Sequence, residues 1–508
     1  APPRTANPNP SPKTPTLTLT PTLSPSLGEG LPYSQARSMV LRRRRRGGAS
    51  LLKLVTAAAA VGSAGGKRRP HAGEYIDHGF GEIGTGCVEG VDCTPPMGWR
   101  SWNAYGRNIS QQRMTRVMDA MVDASRGVSL KDAGYNDVGL DDNYQRCASG
   151  IGETPHRGFH NWEVVGDATA LTNAIDKTRF PDMKAMTDYA HSLGLRAGFY
   201  LNNCLCAERP LPHEHQEDAH YLGDALDVVR YGFDSVKIDN CGPYLDLERY
   251  QRLLNETAGD RYISVENCHW GETVPTHTWC PFSTYRTSWD IHMTWTSMFK
   301  NLQTMIKFTA KRRPLSRPGC WAYADMLEVG NLHSYEEDRS HFGAWCVTSN
   351  PLILGLDLFD SAKLDRVWDI ITNPELLRIN QEWAGHPGRL VRYTRPTAVS
   401  MIELEHFFAD GLTREDSFHK ESALHIFDDV QVWFKPLKRR EAAVFVLSNA
   451  IKALDVVLDM ADFGYSRRVT LALTPTLTLT PTLSPSLGEG LPYSQARSMV
   501  LRRRRRGG

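Results

Sequence analysis

Acidic side chains stand at the ends of three short apolar segments, where they could perform nucleophilic and acid–base catalysis. Asp141 and Asp142 close the segment NDVGLDD, Asp239 follows Lys237 in SVKIDNC, and Asp290 lies in YRTSWDI. Hydrolysis of a glycoside with retention of configuration needs two carboxyl groups about 5 Å apart, one as nucleophile and one as proton donor. We predict that Asp239 and Asp290 form this pair.

The Lys-x-Asp pair in SVKIDNC allows two interpretations. Lys237 and Asp239 alternate with Val236 and Ile238, so in a strand the two charged side chains point to the same side, into the mouth of the fold. Such an inward pair is costly unless the charges are matched. It is either a buried structural ion pair or an ionised nucleophile kept charged by its lysine.

The other acidic groups also allow structural interpretations. Asp141 and Asp142 face opposite sides of a strand tip, so one could cap the next helix while the other faces substrate hydroxyls. Arg286 and Asp290, four residues apart, could form a surface ion pair. Aromatic neighbours nevertheless indicate a sugar-binding environment: Tyr285, Trp289 and Trp295 near this pair, and Trp99, Trp102, Tyr200, Trp270 and Trp279 near other strand ends.

From about residue 93 to residue 385, short apolar segments alternate with segments of helical periodicity, and the residues named above lie within this region. About eight βα units match a (β/α)8 barrel, in which chemistry collects at the carboxyl ends of the strands. We therefore predict a catalytic barrel over residues 91–385. The predicted strands are MGWRSW, NDVGLDD, RAGFYLN, SVKIDN, YISVEN, YRTSWDI, CWAYADM and SNPLILG.

After residue 385 the pattern changes to strand-like runs without helices. This change predicts a small antiparallel β-sandwich domain over residues 386–473. The final strands expected there are replaced by residues 474–508, which repeat residues 14–48 without a single change. We expect a truncated domain with an exposed sheet edge and an incomplete core.

The two copies of the repeat are rich in Thr, Pro and Ser and end in five consecutive arginines and two glycines. We predict that residues 1–90 and 474–508 are disordered. Each copy has six Arg and one Glu, so the remainder carries a formal charge of −8 in place of the +2 of the whole chain. A translated genomic repeat is the favoured interpretation, and a basic tail for nucleic acid or membranes is the alternative. The near-neutral total gives no reason to expect a nucleic-acid partner, and no apolar run reaches the roughly 18 residues of a membrane span.

The order of a basic stretch, the apolar segment LLKLVTAAAAVGSA and small residues favours a secretory signal, with a transit peptide as the alternative. Ten cysteines lie between the two repeats and are compatible with several disulfides in an oxidising compartment. Asn108 and Asn255 begin glycosylation sequons. We expect a secreted or lumenal protein, including a lysosome-like or vacuole-like compartment.

Many of these segments resemble, in order, those of glycoside hydrolase family 27, the α-galactosidase or melibiase family. The resemblance covers roughly residues 94–473 and includes TPPMGWRSWNAYG, GLDD, FPDMKAMTDYAHSLGLRAGFYLNN, VKIDNC, ADMLEVGN and HFGAWCVTSNPLILGLDL. It implies a (β/α)8 barrel enzyme that removes terminal α-linked galactose with retention, acts on a carbohydrate substrate and requires no metal or organic cofactor.

The resemblance also assigns roles residue by residue. Asp239 would attack the anomeric carbon, and Asp290 would protonate the leaving oxygen and later activate water. A disulfide between Cys268 and Cys280 is implied, as is one from Cys241 to Cys204 or Cys206, and a homodimer is left open. The side chains implied to bind substrate are Trp102, Asp141, Asp142, Tyr200, Lys237, His269 and Arg286.

Three places depart from the family's pattern, and one of them is Asn143, where the family usually has a cysteine. His269 replaces a glutamate that helps to bind the sugar 2-hydroxyl, unless Glu266 supplies that carboxylate, and the usual Asp-Pro-Asp loop reads YAD, ending in Asp325. The alternatives within the family are therefore an α-N-acetylgalactosaminidase and a β-L-arabinopyranosidase. The acidic pair of NDVGLDD argues against the second of these. The alternatives from other classes are a catalytically silent sugar-binding protein and the product of a damaged gene.

Overall fold

The computed structural model describes residues 16–17, 86–147, 160–166, 168–206, 214–394, 430–449, 456, 458–459, 463, 469–473 and 495–503. Most of the predicted disordered region 1–90, with the signal-like segment, lies outside the described residues. None of the described helices combines the length and the apolar character needed to cross a bilayer.

Eight parallel strands form the central sheet, as the sequence predicts. Their spatial order is β10, β9, β8, β7, β6, β3, β2, β11, and a parallel bridge from Leu327, just after β10, to Leu354 in β11 connects the two ends. The sheet is therefore a closed (β/α)8 barrel. In chain order the strands are β1 (Thr16–Leu17), β2 (Met97–Arg100), β3 (Asp137–Gly139), β4 (His160–Val165), β5 (Ala168–Asn173), β6 (Arg196–Leu201), β7 (Ser235–Asp239), β8 (Ser264–Cys268), β9 (Thr284–Arg286), β10 (Trp321–Tyr323), β11 (Leu352–Leu354), β12 (Arg389–Thr394), β13 (Val430–Leu437), β14 (Glu441–Ser448), β15 (Leu458–Asp459), β16 (Val469–Leu473) and β17 (Gln495–Arg503).

Helices surround the barrel, and polar side chains fix where most of them begin. Each cap accepts a hydrogen bond from a backbone N–H of the first turn. The capping residues are Ser110, Asp182, Asp246, Thr294, Ser334, Asp360 and Asn373, for α2, α3 and α5 to α9. The helices are α1 (Ser101–Tyr105), α2 (Gln111–Val122), α3 (Met183–Ser192), α4 (Glu214–Arg230), α5 (Leu247–Ala258), α6 (Trp295–Phe308), α7 (Tyr335–Val347), α8 (Ser361–Ile371) and α9 (Pro374–Gln381).

An antiparallel hairpin of β4 and β5 is inserted before α3 and was not predicted. Its sequence mixes polar and apolar residues without clear alternation, so the strand signal is weak. The hairpin packs on α4, where Gly223 permits a close approach: a Cβ at this position would lie 1.9 Å from the Leu171 carbonyl oxygen. The hairpin thus adds a layer outside the barrel.

All ten cysteines are described, and the predicted Cys268–Cys280 disulfide is wrong. Cys280 pairs with Cys320, and Cys268 is a buried free thiol, as is Cys346. Cys268 lies at the carboxyl end of β8, whereas Cys280 and Cys320 precede β9 and β10 at the opposite end of the barrel. Cys241 pairs with Cys204, which joins the carboxyl ends of β7 and β6, and the remaining pairs are Cys147–Cys206 and Cys87–Cys93.

The C-terminal domain contains a five-stranded antiparallel sheet in the order β12, β13, β14, β17, β16. Trp433 and Phe445, cross-strand neighbours, join the barrel core, while Val432 and Val444 face a second cluster with Phe463. Both faces of the sheet are thus packed at β13 and β14. The buried Lys435 donates a 2.8 Å hydrogen bond to the Asn380 carbonyl at the end of α9. This bond also connects the β domain to the barrel.

Part of the second repeat copy differs from the predicted disorder. Its residues 495–503 form β17, which pairs with β14 and with β16. The rest of residues 474–508 lies outside the described residues. The physical reason is the open edge that the sequence itself predicts: unpaired backbone groups on β14 and β16 accept an extended segment whatever its composition. In the first copy, β1 pairs with β15.

Candidate active site

Asp239 ends β7 at the mouth of the barrel, and two donors fix its carboxylate. The Tyr200 hydroxyl donates a 2.8 Å hydrogen bond to Oδ2, and the Asn240 backbone N–H donates to Oδ1 at 2.7 Å. The side chain is buried, at 6% exposure. Burial raises the pKa of Asp239, while the charge of Lys237 and the two hydrogen bonds oppose the increase. The carboxylate is thus oriented and supported as an anion.

Lys237 forms its direct ion pair with Asp141 rather than with Asp239. Its Nζ donates to Asp141 Oδ2 at 2.8 Å and lies 5.2 Å from the centre of the Tyr200 ring. The alternation of SVKIDNC correctly places both charged side chains inside the barrel. The lysine acts on the candidate nucleophile through its charge, because it lowers the pKa of Asp239 without hydrogen bonding to it.

Asp142 anchors the loop that follows β6. Its Oδ2 accepts backbone hydrogen bonds from Cys204 at 3.1 Å and Leu205 at 3.0 Å, and its Oδ1 accepts from the backbone of Asn143 at 2.6 Å and from the Asn203 side chain. Burial raises the pKa of Asp142 to about 6 against these donors. Asp142 therefore secures a loop, where the sequence predicted a helix cap, and Asp141 pairs with Lys237. A contact of either carboxylate with substrate stays a prediction.

Arg286, at the end of β9, binds two carboxylates and is itself only 2% exposed. Its Nη2 lies 3.1 Å from Asp290 Oδ1 and 2.7 Å from Asp325 Oδ2. Asp290 is open to the mouth, with 58% of its side chain exposed. Partial loss of hydration raises the pKa of Asp290, but the charges of Arg286 and Lys237 outweigh it and hold the pKa below its usual range. The pair is thus not a simple surface ion pair.

Asp325 was not assigned to the site from the sequence, although it follows a predicted strand just as Asp239 and Asp290 do. It adopts a left-handed backbone conformation (φ 83°), and its oxygens accept the N–H groups of Ile291 at 2.8 Å and Met326 at 2.7 Å. Through Ile291 it holds the segment that carries Asp290. The rule that acidic residues at strand ends meet at the mouth would have found it.

Cys268 was also missed, because the sequence analysis placed it in a disulfide. Its sulfur lies 3.2 Å from Arg286 Nη1. Burial and the nearby charge of Asp239 raise the pKa of this thiol well above its ordinary value, so it stays neutral. The charge of Asp290 also raises the pKa of this thiol, and the charges of Lys237 and Arg286 lower it.

A family model described as "Alpha galactosidase A" matches residues 94–382. The chain belongs to this alpha-galactosidase A family. An alpha-galactosidase A from Cellvibrio japonicus is 30% identical over 389 residues, 72% of this chain and 78% of that protein. A probable alpha-galactosidase from Dictyostelium discoideum is 34% identical over 312 residues, 60% of this chain and 72% of that protein.

Family membership agrees with the observed architecture. The crystal structure of alpha-galactosidase I from Mortierella vinacea superposes with a TM-score of 0.57 at 22% identity, covering 81% of this chain and 98% of that one. At this level of identity the likeness concerns the fold. It confirms the predicted barrel followed by a β domain.

Two side chains were alternatives for the position where the family's pattern has a glutamate after the fifth barrel strand. Glu266 is unsuitable, because its Oε2 binds Arg100 Nη2 at 2.7 Å inside the barrel. His269 is buried, with Nδ1 2.9 Å from Thr273 Oγ1 and with no hydrogen-bond partner for Nε2 among the described residues. Burial lowers the pKa of His269 to about 4, so the ring is neutral at physiological pH. Its contact with substrate stays a prediction.

The predicted aromatic residues divide into core and mouth. Trp99, Tyr285 and Trp295 are buried in the barrel core, whereas Trp102, in α1 directly after β2, is half-buried at the carboxyl end. Trp270 and Trp289 are also half-buried, and their rings stack with centroids 4.7 Å apart. Trp102 and Trp289 thus lie at the carboxyl end of the barrel, and a contact of either with a sugar stays a prediction.

A buried group of metal-ligating type lies away from the mouth, between the β4–β5 hairpin and α4. Candidate ligand atoms of His160, His220 and Asp224 lie within 4.8 Å of one another. The Asp224 oxygens already accept hydrogen bonds from Asn173 at 2.9 Å and from the Tyr250 hydroxyl at 2.8 Å. We therefore interpret this group as a polar cluster that fastens the hairpin to α4 and α5.

Proposed function

We propose that this chain is a retaining exo-α-galactosidase that acts on terminal α-linked galactose. The observation that carries the proposal is the arrangement around Asp239: a buried carboxylate fixed by Tyr200 and Asn240 and facing the charge of Lys237. Asp290, exposed at the same mouth, supplies the second carboxyl group that retention requires. The family's α-galactosidase members support the substrate class.

The reaction proceeds in two displacements at the anomeric carbon. In the first, the Asp239 carboxylate forms a bond to this carbon while the glycosidic bond breaks, and the leaving oxygen takes the proton of Asp290. In the second, Asp290 removes a proton from water, and the water oxygen displaces Asp239. Each step inverts the configuration, so the released galactose keeps the α configuration.

In the free enzyme Asp290 is in its ionised form, which is the form that removes a proton from water in the second step. Arg286 and Lys237 lower its pKa, so this carboxyl group is ionised at neutral pH before substrate binds. Donating a proton in the first step requires the Arg286 contact to loosen, because an ion pair stabilises only the charged form. Asp325 can keep Arg286 paired while this happens.

The remaining side chains are proposed to position the sugar. Asp141, Asp142 and Lys237 would meet its hydroxyls, while Trp102 and Tyr200 line the pocket. Alternatives within the family are α-N-acetylgalactosaminidase and β-L-arabinopyranosidase activities, and a silent sugar-binding protein is the alternative from another class. The intact pair of Asp239 and Asp290 supports catalysis.

One experiment tests the proposal against all of these alternatives. The wild type and Asp239→Ala are assayed on p-nitrophenyl α-galactoside, the matching α-N-acetylgalactosaminide and the β-L-arabinopyranoside, and the first anomer released is identified by NMR. We expect α-galactose from the galactoside and at least a 10³-fold loss in Asp239→Ala. Turnover unaffected by the substitution, β-galactose as first product, or binding without turnover would contradict it.

The disulfides fit an oxidising compartment, and we propose a secreted or lumenal location. The resemblance to the family leaves a homodimer as a further proposal, which sedimentation equilibrium of the purified chain would test.

A further inference from the structure

The stacked pair of Trp270 and Trp289 forms a half-buried aromatic wall at the carboxyl ends of β8 and β9. The ring planes differ by 26° and the centroids are 4.7 Å apart. Trp289 directly precedes Asp290, the candidate proton donor. From the sequence, both tryptophans count among the aromatic residues of a sugar-binding environment, but neither is assigned a specific part of the substrate.

Both tryptophans are held in place by their own segments. The turn from His269 to Glu272 closes with a 2.8 Å backbone hydrogen bond, and Asn240, next to the nucleophile, donates to Glu272 Oε2 at 3.0 Å. Trp270 adopts a left-handed conformation (φ 51°) within this turn. The Trp289 carbonyl accepts a 3.1 Å hydrogen bond from Asn301 of α6. The wall is therefore fixed by hydrogen bonds of the segments that follow β8 and precede Asp290, and it is not a loose surface feature.

The position relative to Asp290 decides which part of a substrate the wall can meet. A proton donor must reach the glycosidic oxygen, so side chains beside it face the leaving group rather than the sugar that is cleaved off. We propose that Trp289, supported by Trp270, forms the binding site for the leaving group and selects α-galactosides whose leaving group is a pyranose or an aryl ring. This inference rests on the proposed function and specifies its substrate class.

The chemistry of the wall suits such leaving groups. A pyranose has a flat face of C–H groups and an aryl group has a π face, and indole rings pack well against either. The other aromatic pair near the mouth, Tyr105 and Phe359, is less suitable because Arg113 and Arg116 already lie over these rings at 4.7 and 4.3 Å. The described residues give the wall no such covering cation.

The test compares three substrates that share galactose and differ in the leaving group: methyl α-galactoside, p-nitrophenyl α-galactoside and the galactose–glucose disaccharide melibiose. We expect Trp289→Ala to lower kcat/KM about 3- to 10-fold on the last two, mainly through KM, and to leave the methyl galactoside nearly unchanged. Trp289→Phe should restore most of the loss. Trp368→Ala, which removes a half-buried tryptophan from the outer helix α8, is the matched control.

The methyl galactoside is an internal control that distinguishes failure of the leaving-group site from failure of the proposed function. An equal loss on all three substrates, or no loss on any, would overturn the leaving-group site while leaving the proposed α-galactosidase intact. Wild-type protein that hydrolyses none of the three would overturn the proposed function and the site with it. Turnover of the methyl galactoside by Trp289→Ala shows that the variant is folded.

Discussion

The Tyr200 hydroxyl donates a 2.8 Å hydrogen bond to Asp239 and ties the ends of two neighbouring barrel strands, β6 and β7. This bond lowers the pKa of Asp239, while burial raises it. Burial also raises the pKa of Tyr200 well above its ordinary value, so the hydroxyl keeps its proton and remains a donor. The pair is a fixed donor on a buried anion.

Replacing Tyr200 by Phe should weaken the nucleophile in a pH-dependent way. Without the donor the pKa of Asp239 rises, and because the nucleophile must be ionised, the acidic limb of kcat/KM moves to higher pH. A hydrogen bond to a charged group contributes about 1.5–3 kcal/mol, so we expect a loss of about 10- to 100-fold. The measurement is the pH profile on p-nitrophenyl α-galactoside.

The matched control is Tyr135→Phe, which removes another buried tyrosine hydroxyl, bonded to the Ile371 carbonyl at 2.7 Å. Its acidic limb should stay where the wild type has it. A Tyr200→Phe profile that coincides with the wild type would show that the hydroxyl does not act on the nucleophile.

Lys237→Met should separate the structural and catalytic roles of the buried lysine. Asp141 loses its partner, and breaking a buried ion pair costs about 3–5 kcal/mol. The double variant Lys237→Met with Asp141→Leu should recover much of this stability, because no lone charge remains, yet stay inactive on p-nitrophenyl α-galactoside. Denaturant unfolding and the assay check the two outcomes. Recovery of activity in the double variant would reduce the pair to a structural role.

Asp290→Ala should affect substrates according to how much their leaving groups need a proton. On melibiose we expect a loss of about 10²- to 10⁴-fold, since a sugar alkoxide is a poor leaving group. The first step on p-nitrophenyl α-galactoside, followed by the nitrophenolate burst, should suffer much less. Added azide should then accelerate turnover and give α-galactosyl azide. Equal losses on both substrates without azide rescue would assign the proton donor elsewhere.

The disulfides make a direct chemical prediction. When the protein is denatured without reductant, only two of its ten cysteines, Cys268 and Cys346, should react with a thiol reagent. Replacing both Cys280 and Cys320 by Ser should lower the free energy of unfolding by about 2–4 kcal/mol. Cys346→Ala, a control outside any disulfide, should leave the peptide map unchanged. A disulfide-linked peptide that joins Cys268 to Cys280 would refute the assignment.

The sequence predicts the barrel and the acidic residues at its mouth because both depend on local patterns. Alternation places Lys237 and Asp239 on one side of a strand, and parallel strands bring their carboxyl ends together. Contacts between residues remote in sequence cannot be predicted in this way. No local sequence pattern shows that Arg100 neutralises Glu266 or that Cys320 pairs with Cys280. The hairpin that contains Leu171 was missed because it is stabilised by packing on α4 rather than by its own alternation.

The Cys204–Cys241 disulfide borders the reacting atoms, since the Cys204 sulfur lies 3.9 Å from Asp239 Oδ2 and 3.3 Å from the Tyr200 hydroxyl. The carboxylate and its donor therefore sit on two strand ends that a covalent bond holds together. Without that bond, hydrogen bonds alone would hold the two strand ends in register. We therefore expect a chain whose cysteines stay reduced to be less active than the oxidised enzyme, because the nucleophile and its donor then lack a covalent connection.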